Sequence, residues 1–236
     1  WALCDIAASD NGLVIAQALR DGTAVAVSDG SFKDKFGTAA WVIEGRRTDG
    51  RLEGQCIIPG GPEDQSAYRS ELGGLYAIAA MVQVICELHN IQEGSIEVAC
   101  DGMNALAQVG EQDPIIRPNG AQYDIIAATQ AKIKQTNIQW KMRHVMGHQD
   151  DTQGCTVMDR WETLNCMMDE RAKQHWQHHS TRTTRVQSAV DCEPWAVWTG
   201  RSKICGRLAP QVIDHVRGTQ CKVYWDSKSW FQSGTT

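Results

Sequence analysis

The feature that most constrains this chain is a change of hydrophobic period near residue 66. Before it, three short apolar runs are separated by turn signals. Ala24–Ser28 reads as a buried strand ended by Asp29-Gly30-Ser31, and 32–37 reads as a turn. Thr38–Glu44 is a second strand, Asp49-Gly50 is a hairpin signal, and Leu52–Ile58 is a third strand. Pro59-Gly60-Gly61-Pro62 breaks the pattern. From Ser66 to Leu88 the period becomes helical: Glu71, Leu75, Ile78, Val82 and Ile85 fall on one face. A strand over Ile96–Cys100 follows and leads into Asp101. Short helices are predicted over Met103–Val109 and 122–135, with Asn119 as a cap for the latter. Ile138–Val145 is a fifth strand, and a last helix carries Trp161, Leu164, Met168 and Ala172.

Three hairpin-linked strands followed by strand–helix alternation define an α/β chain. The expected fold is a five-stranded mixed sheet flanked by helices, with a small basic C-terminal extension. Three segments are expected: a lead-in or linker over 1–22, a catalytic unit over 23–176, and a basic, Trp-rich extension over 177–236. In the extension, Leu208–Val216 is the predicted helix of a small strand–helix–strand unit. Charge follows the same division. Residues 1–170 carry −11 and residues 171–236 carry +6, within a net −5 for 236 residues. An acidic body with a basic tail suits an anionic polymer contacted by the tail.

Nine scattered cysteines, an odd number without a C-x-x-C, point to free thiols in a reducing compartment. The longest apolar run, Leu72–Cys86, is shorter than a bilayer requires, and no basic-then-apolar leader opens the sequence. An intracellular location, in cytoplasm or nucleus, with no membrane partner is therefore expected.

Two predicted strands lead into an aspartate, Asp29 and Asp101, and Glu71 interrupts an otherwise apolar helix face. Each acid alone has a plain structural reading: a turn starter, a helix cap, a first-turn acid. Taken together they can converge where neighbouring strands end. Crowded carboxylates repel unless cations neutralise them. Hard oxygen donors of this kind select Mg2+ or Mn2+, and a pair of such ions can hydrolyse a phosphodiester.

Five motifs in order carry a resemblance: Asp29-Gly30-Ser31, Gly37-Thr38-Ala39-Ala40, Arg69-Ser70-Glu71-Leu72, Asp101-Gly102, and Gly147-His148 followed by Asn165-Cys166-Met167-Met168-Asp169-Glu170-Arg171-Ala172. Over about residues 23–176 the chain resembles the ribonuclease H family, type 1, and especially the ribonuclease H domains of retroelement reverse transcriptases. The resemblance implies a ribonuclease H-like fold and cleavage of the RNA strand of RNA–DNA hybrids. It implies that Asp29, Glu71, Asp101 and Asp169 hold two Mg2+ or Mn2+ ions. His148 would assist proton transfer or product release. Gly30, Ser31, Ser66, Tyr68, Arg69 and Asn165 would lie at the nucleic acid, joined by Arg201 and Lys203 from the tail. An upstream reverse transcriptase domain in the same polyprotein is the implied partner.

The chain departs from the family pattern in several places. The loop between His148 and Asn165 is long, and Ala67 stands where many members place a side chain that touches the RNA minor groove. The stretch 112–119, where some bacterial members carry a basic protrusion, holds only Arg117. The tail, with basic residues among tryptophans, is the alternative hybrid-binding device or a small module packed on itself. His175, His178, His179 and Cys192 match no standard zinc spacing. Two rival readings remain open: another nuclease of the superfamily (exonuclease, resolvase or integrase-like), and a non-catalytic nucleic-acid-binding module.

Overall fold

A computed structural model describes residues 1–8, 10–45, 50–110, 122–147, 158–180, 197–199, 202–203 and 208–227. Its centre is a six-stranded mixed sheet. The strands are β1 (Asp5–Ala8), β2 (Ala24–Lys33), β3 (Phe36–Glu44), β4 (Arg51–Ile57), β5 (Ser95–Cys100) and β6 (Gln139–His144), in the order β1-β4-β3-β2-β5-β6. β2 pairs in parallel with β5, and β5 with β6; the other neighbours are antiparallel. The helices are α1 (Leu13–Arg20), α2 (Ala67–Leu88), α3 (Met103–Gly110), α4 (Tyr123–Gln135), α5 (Arg160–His179) and α6 (Leu208–Asp226). All five predicted strands and their flanking helices are present.

Two layers cover the sheet. α2 lies on one face, where its apolar residues join Trp41, Ile43, Leu52 and Ile96 in the main core. Ser66 caps it by accepting from the Arg69 N–H at 3.0 Å. α2 is long and apolar enough to cross a membrane by length and composition, and most of it is buried in this core. α5 covers the other face, packing Leu164, Met168 and Ala172 on Val27, Ala40 and Val42. A capping box of Asp159 and Glu162 starts α5. The Thr38 hydroxyl donates to Ala172 O at 2.7 Å and pins the helix to β3.

The structure differs from expectation in three ways. First, Asp29 does not end its strand. β2 runs on to Lys33, which pairs with Phe36, because Asp34 and Lys35 both take positive φ (52° and 58°) and close a two-residue hairpin. Second, residues 1–22 supply β1 and α1. Ala2, Ile15, Ala16, Ala18 and Leu19 are core residues, and Trp1 stacks on Tyr76 at 4.9 Å. Third, the tail helix continues to Asp226 and follows a two-stranded hairpin of β7 (Trp198–Thr199) and β8 (Ser202–Lys203). Asn119, the expected cap, lies outside the described residues; Gln122, in the left-handed region, precedes α4 instead.

Candidate active site

The site begins with a step in the sheet. The parallel pairing of β2 with β5 stops at Val27 and Ala99, while β2 continues. Asp29 lies just beyond that last rung, with Asp101 following the end of β5. Glu71 comes from the first turns of α2, which can lie close because Gly30 has no side chain. A Cβ on Gly30 would sit 2.6 Å from Glu71 N and from Ser70 C. α5 brings Asp169 from the opposite face. Like charges therefore gather from both layers of the fold.

The electrostatics record that crowding. Burial, then Glu71, Asp101 and Asp169, push the Asp29 carboxyl up to about 9, against the Gly30 N–H that favours its charge. Burial, then Asp101, raises Glu71 to about 8, although the Cys100 thiol and the Gly30 N–H oppose the shift. Three hydrogen bonds orient the acids. Asn165, itself buried, donates from Nδ2 to Asp29 Oδ2 at 3.2 Å. The Cys100 thiol donates to Glu71 Oε2 at 3.0 Å. Lys173 donates to Asp169 Oδ2 at 2.5 Å from one turn along α5.

The donor set fits a divalent cation. Among the described residues, Glu71, Cys100 and Asp101 offer ligating atoms within 4.8 Å of one another. Asn165 Oδ1 is buried beside Asp29 without a hydrogen-bond partner. Gly147 packs so tightly on Asp101 that a Cβ there would collide with Oδ2. Burial first, and then mutual repulsion, hold Asp29 and Glu71 up, and positive charge placed beside them would relieve both.

The structure distributes the expected nucleic-acid contacts unevenly. Gly30 is a close-packing position against α2. The Ser31 carbonyl accepts from Ser70 Oγ at 3.2 Å. Ser66 uses its oxygen as the α2 cap. Tyr68 is half-buried against the core, and burial raises its hydroxyl pKa. Arg69 overturns its expectation: the side chain is fully buried and cannot touch a nucleic acid. Its guanidinium makes a two-pronged pair with Asp124 at 2.9 and 2.8 Å and donates to Pro59 O at 2.7 Å. A charge buried this way serves to lock α2 to α4. Lys203 lies on β8, and His148 and Arg201 fall outside the described residues.

Two participants were not singled out from sequence. Cys100 reads as an ordinary apolar strand end, and only the fold turns its thiol towards Glu71. Lys173 was visible in principle, since it stands four residues after Asp169, the spacing of facing helix residues.

The sheet order, the helix on each face and the acids gathered from both layers define a mixed α/β chain with an acidic site at the strand ends. No family model matches the sequence, and no curated protein does. Among solved structures, it is similar to LC11 RNase H1 in complex with an RNA/DNA hybrid. The two are 12% identical with a TM-score of 0.48, covering 64% of this chain and 94% of that one. The N-terminal ribonuclease H domain of a Mycobacterium tuberculosis protein, fused to maltose-binding protein, is 14% identical with a TM-score of 0.44. That match covers 66% of this chain and 95% of that one. RNase H1 from Halobacterium salinarum NRC-1 is 15% identical with a TM-score of 0.40, covering 66% and 98% respectively.

Proposed function

We propose that the chain is a divalent-metal-dependent endonuclease that cuts the RNA strand of RNA–DNA hybrids, a type 1 ribonuclease H of retroelement kind. The observation that carries this reading is the convergence of Asp29, Glu71 and Asp101 with Asp169, with two of the acids pushed up to about 9 and 8. Acids crowded in this way, two of them pushed up by burial and by one another, are suited to cations bridging them to a phosphate. Asp29, Glu71, Asp101 and Asp169 would hold two Mg2+ or Mn2+ ions. Such ions supply an activated water and neutralise the leaving oxygen.

The residues of the chain do the rest. Asn165 orients the Asp29 carboxylate. Cys100 holds Glu71 towards Asp101. Lys173 holds Asp169 at the rim, where a modest exposure of 14% lets it meet substrate. His148, next in sequence after Gly147, is proposed to carry protons to or from the leaving group. Gly30, Ser31, Ser66 and Tyr68 would offer backbone and hydroxyl groups to the hybrid, with Asn165 behind them and Arg201 and Lys203 contacting phosphate. An upstream reverse transcriptase domain remains the proposed partner.

The test is cleavage of labelled RNA–DNA hybrid in Mg2+, beside double-stranded RNA, double-stranded DNA and the Asp101→Asn variant. The expected result is hybrid-only cutting of the RNA strand, lost in the variant. No cutting in Mg2+ or Mn2+ refutes the proposal for this chain and favours a binding module.

A further inference from the structure

The N-terminal strand is held lightly. β1 is four residues long, all of them exposed, and it pairs with β4 at the edge of the sheet. The residues before it belong to the core all the same: Ala2 is buried, and Trp1 stacks on Tyr76 of α2. A short terminal strand of this kind frays readily unless something else ties it down.

Two thiols lie across that edge. Asp5 pairs with Gln55 in antiparallel register, so one further step sets Cys4, just before the strand, opposite Cys56. Directly opposite residues of antiparallel strands share a face and hold their Cα atoms about 4.5–5.5 Å apart. A disulfide needs roughly 4.4–6.8 Å. Both residues line one cavity of about 190 Å³, beside Trp1 and Ile57, and both are free thiols. Their surroundings differ: Cys4 is exposed and Cys56 is buried. Burial pushes the Cys56 thiol up to about 12, and Cys4 is close enough to add to the rise.

We propose that Cys4 and Cys56 are a redox pair, closed to a disulfide by hydrogen peroxide and reopened by thiols, that staples β1 to β4. The exposed Cys4 reacts first. Its thiolate attacks a peroxide oxygen and the O–O bond breaks, leaving Cys4 as a sulfenic acid and releasing hydroxide, which takes up the Cys4 proton as water. The Cys56 sulfur then attacks Cys4 Sγ. The S–S bond forms, the S–O bond breaks, and the departing hydroxide takes the Cys56 proton as a second water. The two thiols together lose two electrons, and one peroxide gains them. Burial assigns the order: a neutral, enclosed thiol is slow to meet peroxide in solution but can reach an electrophile held directly opposite it. The closed staple removes freedom from the unfolded chain and fixes the edge strand in the folded one. Strands β4 and β3 stand between β1 and the acid-bearing β2, so the pair acts on stability and leaves the carboxylate site alone.

The test treats the full chain with hydrogen peroxide and maps its cysteines by peptide mass before and after reduction. The expected result is a linked pair of peptides carrying Cys4 and Cys56, released by dithiothreitol, with the melting temperature raised by roughly 4–16 °C. Amide exchange over 5–8 should slow when the pair closes. Cys4→Ser, at an exposed position, should abolish both the linked peptides and the rise. Cys56→Ala should stop the reaction at the Cys4 sulfenic acid, which dimedone traps. Cys221→Ser, on exposed α6, should change neither result. Absence of the linked peptides overturns the proposal, as does a rise that survives Cys4→Ser or a Cys4 that links to another cysteine in preference to Cys56. Hybrid cleavage is not the readout, so the pair stands or falls apart from the proposed nuclease activity.

Discussion

Asp124→Asn is the sharpest probe of the frame that carries Glu71. The change removes the charge facing a guanidinium that is fully buried, with Asp124 itself 3% exposed. The Pro59 carbonyl at 2.7 Å and the Gln122 amide oxygen at 2.5 Å remain, but neither neutralises the arginine. Breaking one side of such a pair costs about 3–5 kcal/mol. For a chain of this size each kcal/mol moves the melting temperature by about 2–4 °C, so a drop of roughly 6–20 °C is expected. Thermal unfolding by circular dichroism and urea titration both report it. The double variant Arg69→Met with Asp124→Leu removes the charge entirely and should regain most of the loss, since apolar replacements of buried pairs are often neutral. Because Arg69 lies two residues before Glu71, the single variant should also lower apparent Mg2+ affinity. A single-variant loss under about 1 kcal/mol, or a double variant as unstable as the sum of its parts, would refute the claim that this pair is buried and coupled.

The metal-stripped chain should lose stability as pH rises. Asp29 and Glu71 titrate higher when folded, so their contribution is complete below about pH 4 and lost as pH climbs through about 8 and 9. Added Mg2+ should therefore raise the melting temperature more at pH 9 than at pH 6, and equal increments would sink the reasoning. Asn165→Ala should weaken Mg2+ binding about 10–100-fold by freeing the Asp29 carboxylate, read from the Mg2+ dependence of cleavage and of melting temperature. Gly30→Ala forces a methyl to 2.6 Å from the α2 backbone. It should cost about 1–3 kcal/mol in urea unfolding, together with most cleavage, and a neutral result would mean α2 can retreat.

Much of the fold is legible in the sequence because its strongest signals are local. The α2 segment, its Ser66 cap and the alternation after it depend on neighbours a few residues apart. Asp29, Glu71 and Asp101 stand out in the sequence for the same reason, since each adjoins a turn or breaks an apolar face, whereas Asp169 lies within a helix and is singled out only by the motif resemblance. What stayed hidden depends on pairing at a distance. Asp29 reads as a strand end because Asp-Gly is a turn signal; only the pairing of Lys33 with Phe36 shows the strand running through it. The resemblance places Arg69 at the nucleic acid, and its burial follows from Asp124, 55 residues later. β1 is short and all its residues are exposed, so its strand character exists only through β4.

The apolar length of α2 also bears on how the chain must be made. The strands β5 and β6 and helix α4, which complete its surroundings, lie further along the sequence. With synthesis at about 5–20 residues per second, the roughly 55 residues between the end of α2 and the end of β6 take about 3–11 s to appear. During that interval a helix greasy enough for a bilayer has only half its cover. Such a nascent segment is a target for chaperones and for membrane-targeting factors alike, and its escape from both depends on how fast the four strands before it close over it.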